Sequence, residues 1–302
     1  MSAPKEHDGR GVLDPVLTEL RRTNFAGRQV SLLEGALVVT AAGTIALRGG
    51  APVDAAVLSG IGALGWADDL LEPRQRRAGR AVSKGLRGHL GALRRGSVTT
   101  GAAKAFGIPA LALVGAAMAP RPRGGGMILA DAALAAGCAN LANLLDLRPG
   151  RALKVVLPTA AALAARAPAA DTRARSGRSL ALAALVPGAL ALPTDLREAG
   201  MLGDAGANVL GAAMGTAAAR TLPVPGRLAL LSVVVALTLA SERVSFSAVI
   251  DATAALRAVD RLGRRDPGAG AGTGTASGAG AEPEQSPGTE PAPEAGPGQE
   301  QR

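Results

Sequence analysis

The chain has 302 residues, of which 48% are hydrophobic, with 41 glycines, three phenylalanines and no tyrosine. Long apolar blocks recur and most charges lie between them, which excludes an ordinary soluble globular protein. The formal net charge of +9 comes from basic residues that flank apolar blocks, a pattern more typical of a membrane protein than of a nucleic-acid binder. The single cysteine, Cys138, excludes a disulfide framework and a cysteine-rich metal site.

The N-terminal segment, residues 1–30, is polar and lacks the pattern of a signal peptide, so we expect no cleavage there. Eight apolar segments follow, and because only internally satisfied backbones cross lipid, each is predicted to be a membrane helix. Four of them are shorter than the usual lower limit of about 17 residues. The eight are 31–48, 52–67, 98–119, 125–145, 153–167, 178–194, 207–222 and 226–241. The predicted fold is an all-α, polytopic membrane helical bundle over residues 31–241.

The loop at 73–95 predicts the orientation of the bundle. It carries eight arginines and lysines and no acidic residue. By the positive-inside rule this loop is cytoplasmic, together with both chain termini, in a multi-pass protein of the plasma membrane. Arg173, Arg175 and Arg178 lie on the opposite side and run against this orientation.

Two further segments follow the last span. Residues 242–265 place apolar residues on one helical face and arginines elsewhere, which predicts an amphipathic helix on the inner membrane surface. Residues 266–302 are rich in Gly, Pro, Ala, Ser, Glu and Gln, and this composition predicts a disordered tail.

Three polar motifs lie at predicted cytoplasmic helix ends. Each alone has an ordinary structural explanation, as a solvated helix end, an interhelical hydrogen bond or a turn. Together, beside a basic loop, they are typical of a magnesium–diphosphate site, because Mg²⁺ prefers oxygen ligands and cations neutralise charge during phosphoryl transfer. The motifs are Asp68-Asp69, then Asn140, Asn143 and Asp146, and finally Asp204 between glycines.

These motifs resemble those of the polyprenyl-phosphate N-acetylhexosamine-1-phosphate transferase superfamily, in the same order over about residues 23–250. "TNFAGRQVSLLEGAL" (23–37), "WADDLLE" (66–72) and "SKGLRGHL" (83–90) resemble its first three motifs. "NLANLLD" (140–146) and "MLGDAGANVLG" (201–211) resemble its Asn-x-x-Asn-Leu-x-Asp and Gly-Asp-x-Gly motifs and are the most specific matches.

The resemblance implies a role for each matching residue. Asp204 and Asp69 would hold Mg²⁺, and Asp68 or Asp69 would act on a polyprenyl phosphate as base or orienting group. Lys84 would contact a phosphate. The residues expected to bind the UDP-sugar are Asn140, Asn143, Asp146 and Asn208.

The chain also departs from the family pattern. Family members usually have about ten or eleven spans, and the late cytoplasmic loop that contacts the sugar is missing here. "LRPGR" (147–151) replaces the usual residues after Asp146, and Ala207 replaces the usual serine. Arg148, Arg151 and Lys154 are therefore either substitute phosphate contacts or positive-inside anchors.

The leading hypothesis is a membrane glycosyl-1-phosphate transferase of cell-envelope synthesis, with the membrane, polyprenyl phosphate and UDP-sugar as partners and assembly into homo-oligomers left open. The alternative is a non-catalytic relative that binds lipid-linked precursor or partners in envelope assembly. A transporter would need ionisable residues deep in the bilayer, whereas Asp131 and Lys104 lie toward predicted helix ends. A nucleic-acid binder would need aromatic residues to stack bases, and these are scarce.

Overall fold

The computed structural model describes residues 21–23, 27–77, 100–121, 124–166 and 171–264. Helices make up 82% of these residues, which confirms the predicted helical bundle. Lys84, most of the basic loop and the tail at 266–302 lie outside the described residues, so the predictions for them remain predictions.

The helices of the bundle follow the predicted apolar segments closely. Within the described ranges they are α1 (Leu33–Arg48), α2 (Pro52–Arg77), α3 (Thr100–Ala117), α4 (Gly125–Leu145), α5 (Arg151–Arg166), α6 (Thr172–Leu196), α7 (Gly203–Thr221) and α8 (Val224–Ser241), followed by α9 (Phe246–Ala252) and α10 (Ala254–Arg261).

Four of the described helices, not eight, are long and apolar enough to cross a membrane: α3, α4, α6 and α8. The other four predicted spans have identifiable reasons for falling short. Helices α1 and α5 have 16 residues each, and α2 continues into a charged segment that ends at Arg77. Helix α7 is rich in glycine and alanine and is buried along nearly its whole length, so its composition reflects packing against protein.

Helix α7 forms the centre of the bundle and packs against α1, α2, α4, α5 and α6. Small residues allow these close approaches. A Cβ atom on Gly211 would lie 2.3 Å from the carbonyl oxygen of Cys138 in α4. Because that separation is far inside van der Waals contact, α4 and α7 can pack at this distance only if residue 211 is glycine.

A small β-hairpin precedes the bundle, so the all-α prediction was incomplete. Strand β1 (Arg21–Thr23) pairs antiparallel with β2 (Gln29–Ser31). The backbone of Ser31 then bonds the segment before α7, accepting from the N–H of Met201 at 3.1 Å. The hairpin thereby joins the starts of α1 and α7, a non-local pairing that no local pattern in the sequence indicated.

The amphipathic segment also differs from its prediction as one helix over 242–265. It forms two helices, α9 and α10, separated at Thr253. The backbone of Thr253 is extended, with φ −99° and ψ 114°, and so ends α9 and begins α10. Ser245 caps α9 by accepting a hydrogen bond from the N–H of Ala248 at 3.4 Å.

A cluster of buried charges lies at the end of the bundle away from the three polar motifs. Asp54 binds Arg220 through both carboxylate oxygens, and Asp131 accepts from Arg173 at 2.7 Å and from Arg227 at 2.6 Å. All five side chains are buried. The pairing of Arg173 with Asp131 explains why an arginine is found on the predicted outer side despite the positive-inside rule.

Candidate functional site

The three aspartates of the first and last motifs meet at one end of the bundle. Asp68 and Asp69 lie on α2, and Asp204 lies in the first turn of α7. The ammonium group of Lys104, from α3, contacts Asp68 Oδ2 at 2.9 Å and also bonds Asp204 Oδ2. Lys104 therefore bridges carboxylates from two helices, a role that the sequence reasoning missed.

The carboxylate of Asp69 is held by the beginning of α7. It accepts hydrogen bonds from the backbone N–H groups of Asp204 at 3.3 Å and Ala205 at 3.4 Å. Gly203 precedes them with φ +60°, and a Cβ there would lie 2.9 Å from Asp69 Oδ2. Glycine is thus required at 203 both for its backbone conformation and for the approach of Asp69.

The two neighbouring aspartates have different proton affinities. Burial, and next the negative charge of Asp204, raise the pKa of Asp69 to about 7, although N–H bonds from α7 oppose the rise. Burial also acts to raise the pKa of Asp68, but hydrogen bonds with Asp204, Thr100 and Lys104 outweigh it and leave that pKa below its usual value. The pKa of Asp69 is therefore raised chiefly by burial and only secondly by a neighbouring negative charge, that of Asp204.

Asp146, at the end of α4, joins Asp68, Asp69 and Asp204 in a cluster that we call the acidic group. It is the C-cap residue, and its N–H bonds the carbonyl oxygens of Ala142 and Asn143. Burial raises its pKa well above the usual value, and the next causes are the charges of Asp195, Asp204, Glu34 and Asp69. Because these charges act on Asp146, residues of the second and third sequence motifs belong to one acidic group.

Glu34 and Asp195 complete this group and were missed by the sequence reasoning. Both carboxylate oxygens of Glu34 are buried, and the Thr194 side chain lies beside them. Asp195 Oδ2 accepts from the N–H of Gly150 at 2.7 Å. Their positions in the sequence could have indicated them, because Glu34 lies in the first motif, 23–37, and Asp195 lies nine residues before Asp204.

The three asparagines are placed differently. The side-chain amide of Asn208 donates to the carbonyl oxygen of Asp204 at 2.6 Å, so this buried residue supports the first turn of α7. Asn140 is exposed and Asn143 is half-buried. Neither of these two side chains is hydrogen-bonded to the acidic group within the described ranges.

The hairpin also reaches this site. The guanidinium group of Arg22 in β1 donates to the carbonyl oxygen of Asp69. Because β2 bonds the segment before α7, the hairpin holds α2 and α7 on either side of the aspartates. The first sequence motif therefore leads directly into the site.

The donor set suits a hard cation. Asp69 and Asp204 supply carboxylate oxygens, and the Lys104 ammonium shows that the carboxylates of Asp68 and Asp204 attract a positive charge. Among the described residues, no three His, Cys, Asp or Glu side chains are arranged as a ready-made metal cage. Asp69 and Asp204 together fit a Mg²⁺ ion that is held by one or two carboxylates and completed by water and phosphate oxygens.

Arg148, Arg151 and Lys154 contact the C-terminal helices. Arg151 pairs with Asp260 at 2.7 Å, Arg148 pairs with Asp251 at 3.3 Å, and Lys154 donates to the carbonyl oxygen of Asp260 at 2.5 Å. All three bonds tie the start of α5 to α9 and α10.

Comparisons with protein-family models, with curated proteins and with solved structures found no match.

Proposed function

We propose that this protein is a membrane glycosyl-1-phosphate transferase that moves a sugar phosphate from a UDP-sugar to a polyprenyl phosphate and releases UMP. The observation that carries the proposal is the meeting of Asp68, Asp69, Asp146 and Asp204 at one end of an apolar bundle. A lipid phosphate at a membrane surface and a soluble nucleotide diphosphate can both reach such a position.

The protein is further proposed to be a multi-pass protein of the plasma membrane, with the acidic end of the bundle in the cytoplasm. Four apolar helices support a membrane location. In this arrangement α1, α2, α5 and α7 also lie within the bilayer. The basic residues at 73–95 favour the cytoplasmic side for the acidic end.

The proposed transfer is a direct displacement. An oxygen of the polyprenyl phosphate forms a bond to the β-phosphorus of the UDP-sugar, and the bond from that phosphorus to the bridging oxygen breaks. UMP leaves with the electron pair. Asp69, oriented by two N–H groups of α7, positions the lipid phosphate or takes its proton, and Lys104 limits repulsion between the aspartates and the incoming anions.

The proposed cofactor is Mg²⁺, held by Asp204 and Asp69. When bound it would neutralise charge on the reacting phosphates. Asn140, Asn143 and Asp146 are proposed to line the UDP-sugar site, with Asn208 keeping the first turn of α7 in place. Lys84, outside the described residues, is proposed to contact a phosphate.

A second candidate function is binding of a lipid-linked precursor without turnover. Lys104 favours it, because its ammonium group already pairs with Asp68 and Asp204 and reduces the negative charge available to a metal ion. In this case the site would hold a lipid phosphate through cations alone.

The deciding experiment is magnesium-dependent exchange of labelled UMP into a panel of UDP-sugars. The purified chain would be reconstituted with undecaprenyl phosphate and compared with Asp204→Asn. Asp251→Asn is the matched control, because Asp251 is an exposed aspartate that pairs with Arg148 and not with a member of the acidic group.

The proposal expects exchange in wild type and in Asp251→Asn, with a loss of about a hundredfold or more in Asp204→Asn, as for removal of a group that stabilises transition-state charge. Exchange that survives Asp204→Asn would overturn the assigned site. If all three proteins are folded and silent with every UDP-sugar, binding without turnover becomes the better conclusion.

A further inference from the structure

Helices α9 and α10 dock on the bundle through their polar side. Arg151 Nη1 donates to Ser247 Oγ at 2.9 Å, and its Nε and Nη2 donate to the Asp260 carboxylate at 2.7 and 3.2 Å. Arg151 and Asp260 are both buried. An amphipathic helix on a soluble protein buries its apolar side instead, so the arrangement here is reversed.

The apolar side of these helices points outward. Val249, Leu256, Val259 and Leu262 are exposed, with Leu262 at 71% of its surface. An exposed apolar surface of this kind marks a site of contact with a membrane or a protein partner. The preceding helix α8 is long and apolar enough to cross a membrane, and only 11% of its 18 residues are buried in the protein. The exposed apolar side of α9 and α10 therefore comes directly after α8 in the chain, and α8 is itself suited to contact with lipid.

Positive charge accumulates along the edge of α10. Arg151 and Arg264 pair with the Asp260 carboxylate, and Lys154 donates to the backbone carbonyl oxygen of Asp260, so three cations gather at one residue. Arg243 and Arg261 are exposed nearby in the sequence. An excess of cations beside an outward apolar face is complementary to an anionic lipid surface, where each Lys or Arg adds about 1 kcal/mol of attraction, or roughly fivefold in affinity.

We propose that α9 and α10 lie in the headgroup layer of an anionic bilayer and that Lys154 and Arg264 bind lipid phosphate groups there. The inference depends on membrane insertion and is independent of transferase activity. It also brings lipid phosphate toward the acidic group, because the charges of Lys154 and Arg264 both act on Asp195.

The first test measures the depth of α10. An environment-sensitive fluorophore is attached at Leu262→Cys or, as control, at the exposed Glu242→Cys, both in a Cys138→Ala background because Cys138 is the only cysteine. The full chain is reconstituted in vesicles of phosphatidylcholine with phosphatidylglycerol. Lipid-borne quenchers should quench the probe at 262, and aqueous iodide should quench the probe at 242. A probe at 262 that is open to iodide, or shielded from both quenchers by a protein partner, overturns the inference.

The second test measures phosphate recognition. Retention of phosphatidylglycerol by the delipidated chain is titrated for wild type, Lys154→Gln and Arg264→Gln. Each substitution should weaken retention about fivefold, and Lys154→Arg should restore it. Arg166→Gln, which removes an exposed cation at the other end of α5, is the control and should change nothing.

Equal losses in the control and the two variants would overturn the assigned residues. Competition by inorganic phosphate as effective as that by phosphatidylglycerol would overturn the assignment to a lipid. UMP exchange in the same preparations is scored separately, so a silent transferase with intact lipid retention would contradict the proposed function alone.

Discussion

Lys104 is the residue that determines the charge balance of the site. Its ammonium group joins Asp68 on α2 to Asp204 on α7, and Asp204 lies 100 residues after Lys104 in the sequence. Removing one partner of an ion pair with limited solvent access leaves the other charge without compensation. The side chain of Lys104 keeps 18% of its surface exposed, so solvent reduces the penalty.

We expect Lys104→Met to lower the free energy of unfolding by about 1–2 kcal/mol, because Asp68 and Asp204 would then face each other without a cation. The measurement is thermal unfolding of the purified protein in detergent. Adding Asp68→Asn should recover most of the loss, since it removes the repulsion. Additive losses in the double variant would show that the two residues do not interact.

Gly203 is the second residue whose identity is imposed by the site. We expect Gly203→Ala to destabilise the protein by more than about 1 kcal/mol, because its φ of +60° strains any residue with a Cβ and that atom would meet Asp69. The midpoint temperature of thermal unfolding and the rate of UMP exchange should both fall.

The control for this substitution is Gly126→Ala in the first turn of α4, where an added Cβ meets nothing within 4 Å. It should be neutral or stabilising by up to about 1 kcal/mol. Comparable losses in both variants would mean that the conformation at 203 has no special role.

At the scale of elements, the buried charges opposite the site connect six helices. Asp54 of α2 binds Arg220 of α7, and Asp131 of α4 binds Arg173 of α6 and Arg227 of α8. Arg220 also bonds the carbonyl oxygen of Gly115 in α3 at 3.4 Å. Because these groups are buried and bonded to one another, each supports the position of several helices.

We expect Arg220→Met to cost about 3–5 kcal/mol of unfolding free energy, since Asp54 would remain buried without its partner. Chemical unfolding in mixed micelles is the measurement. The double variant Asp54→Leu/Arg220→Met should recover to within about 1 kcal/mol, because an apolar pair of similar size replaces the ion pair.

The exposed pair of Arg121 with Asp171 provides the comparison for this experiment. Its side chains keep 78% and 41% of their surface exposed. Arg121→Gln should therefore change stability by less than about 1 kcal/mol. A similar cost for Arg121→Gln and Arg220→Met would contradict the assigned importance of burial.

At the scale of the whole molecule, the orientation in the membrane decides whether the acidic end can meet a cytoplasmic nucleotide sugar. The two polar ends are chemically distinct: one gathers Glu34, Asp69, Asp146 and Asp195, and the other gathers buried arginines. Only the basic loop at 73–95 argues for the acidic end being inside.

We expect a membrane-impermeant maleimide added to intact cells to label Thr172→Cys and not Glu242→Cys. Both positions are exposed, and they lie at opposite ends of the bundle, at the start of α6 and after α8. The background is Cys138→Ala, and permeabilised cells provide the positive control for both sites. Labelling of Glu242→Cys alone would reverse the orientation and remove the proposed access to UDP-sugar.

The helices themselves could be predicted from the sequence. The predicted segment 125–145 coincides with α4, and 226–241 differs from α8 by two residues at its start. Their common basis is local, because a run of apolar residues bounded by Gly, Pro or charge specifies a helix whatever it packs against. The number of spans was overestimated for two reasons. Helices α1 and α5 have only 16 residues each, and α2 runs on into a charged segment. Helix α7 is rich in glycine and alanine and is buried by its neighbours.

By itself, therefore, the sequence determined a helical membrane bundle and the motifs containing Asp69, Asp146 and Asp204. Only the tertiary structure decided that Lys104, Glu34 and Asp195 join them, that a hairpin joins α1 to α7, and that α9 and α10 dock by their polar side. The reason is physical. Helix formation depends on neighbours within a few residues, whereas these contacts depend on which surfaces approach after packing, and they join residues as far apart in sequence as Ser31 and Met201.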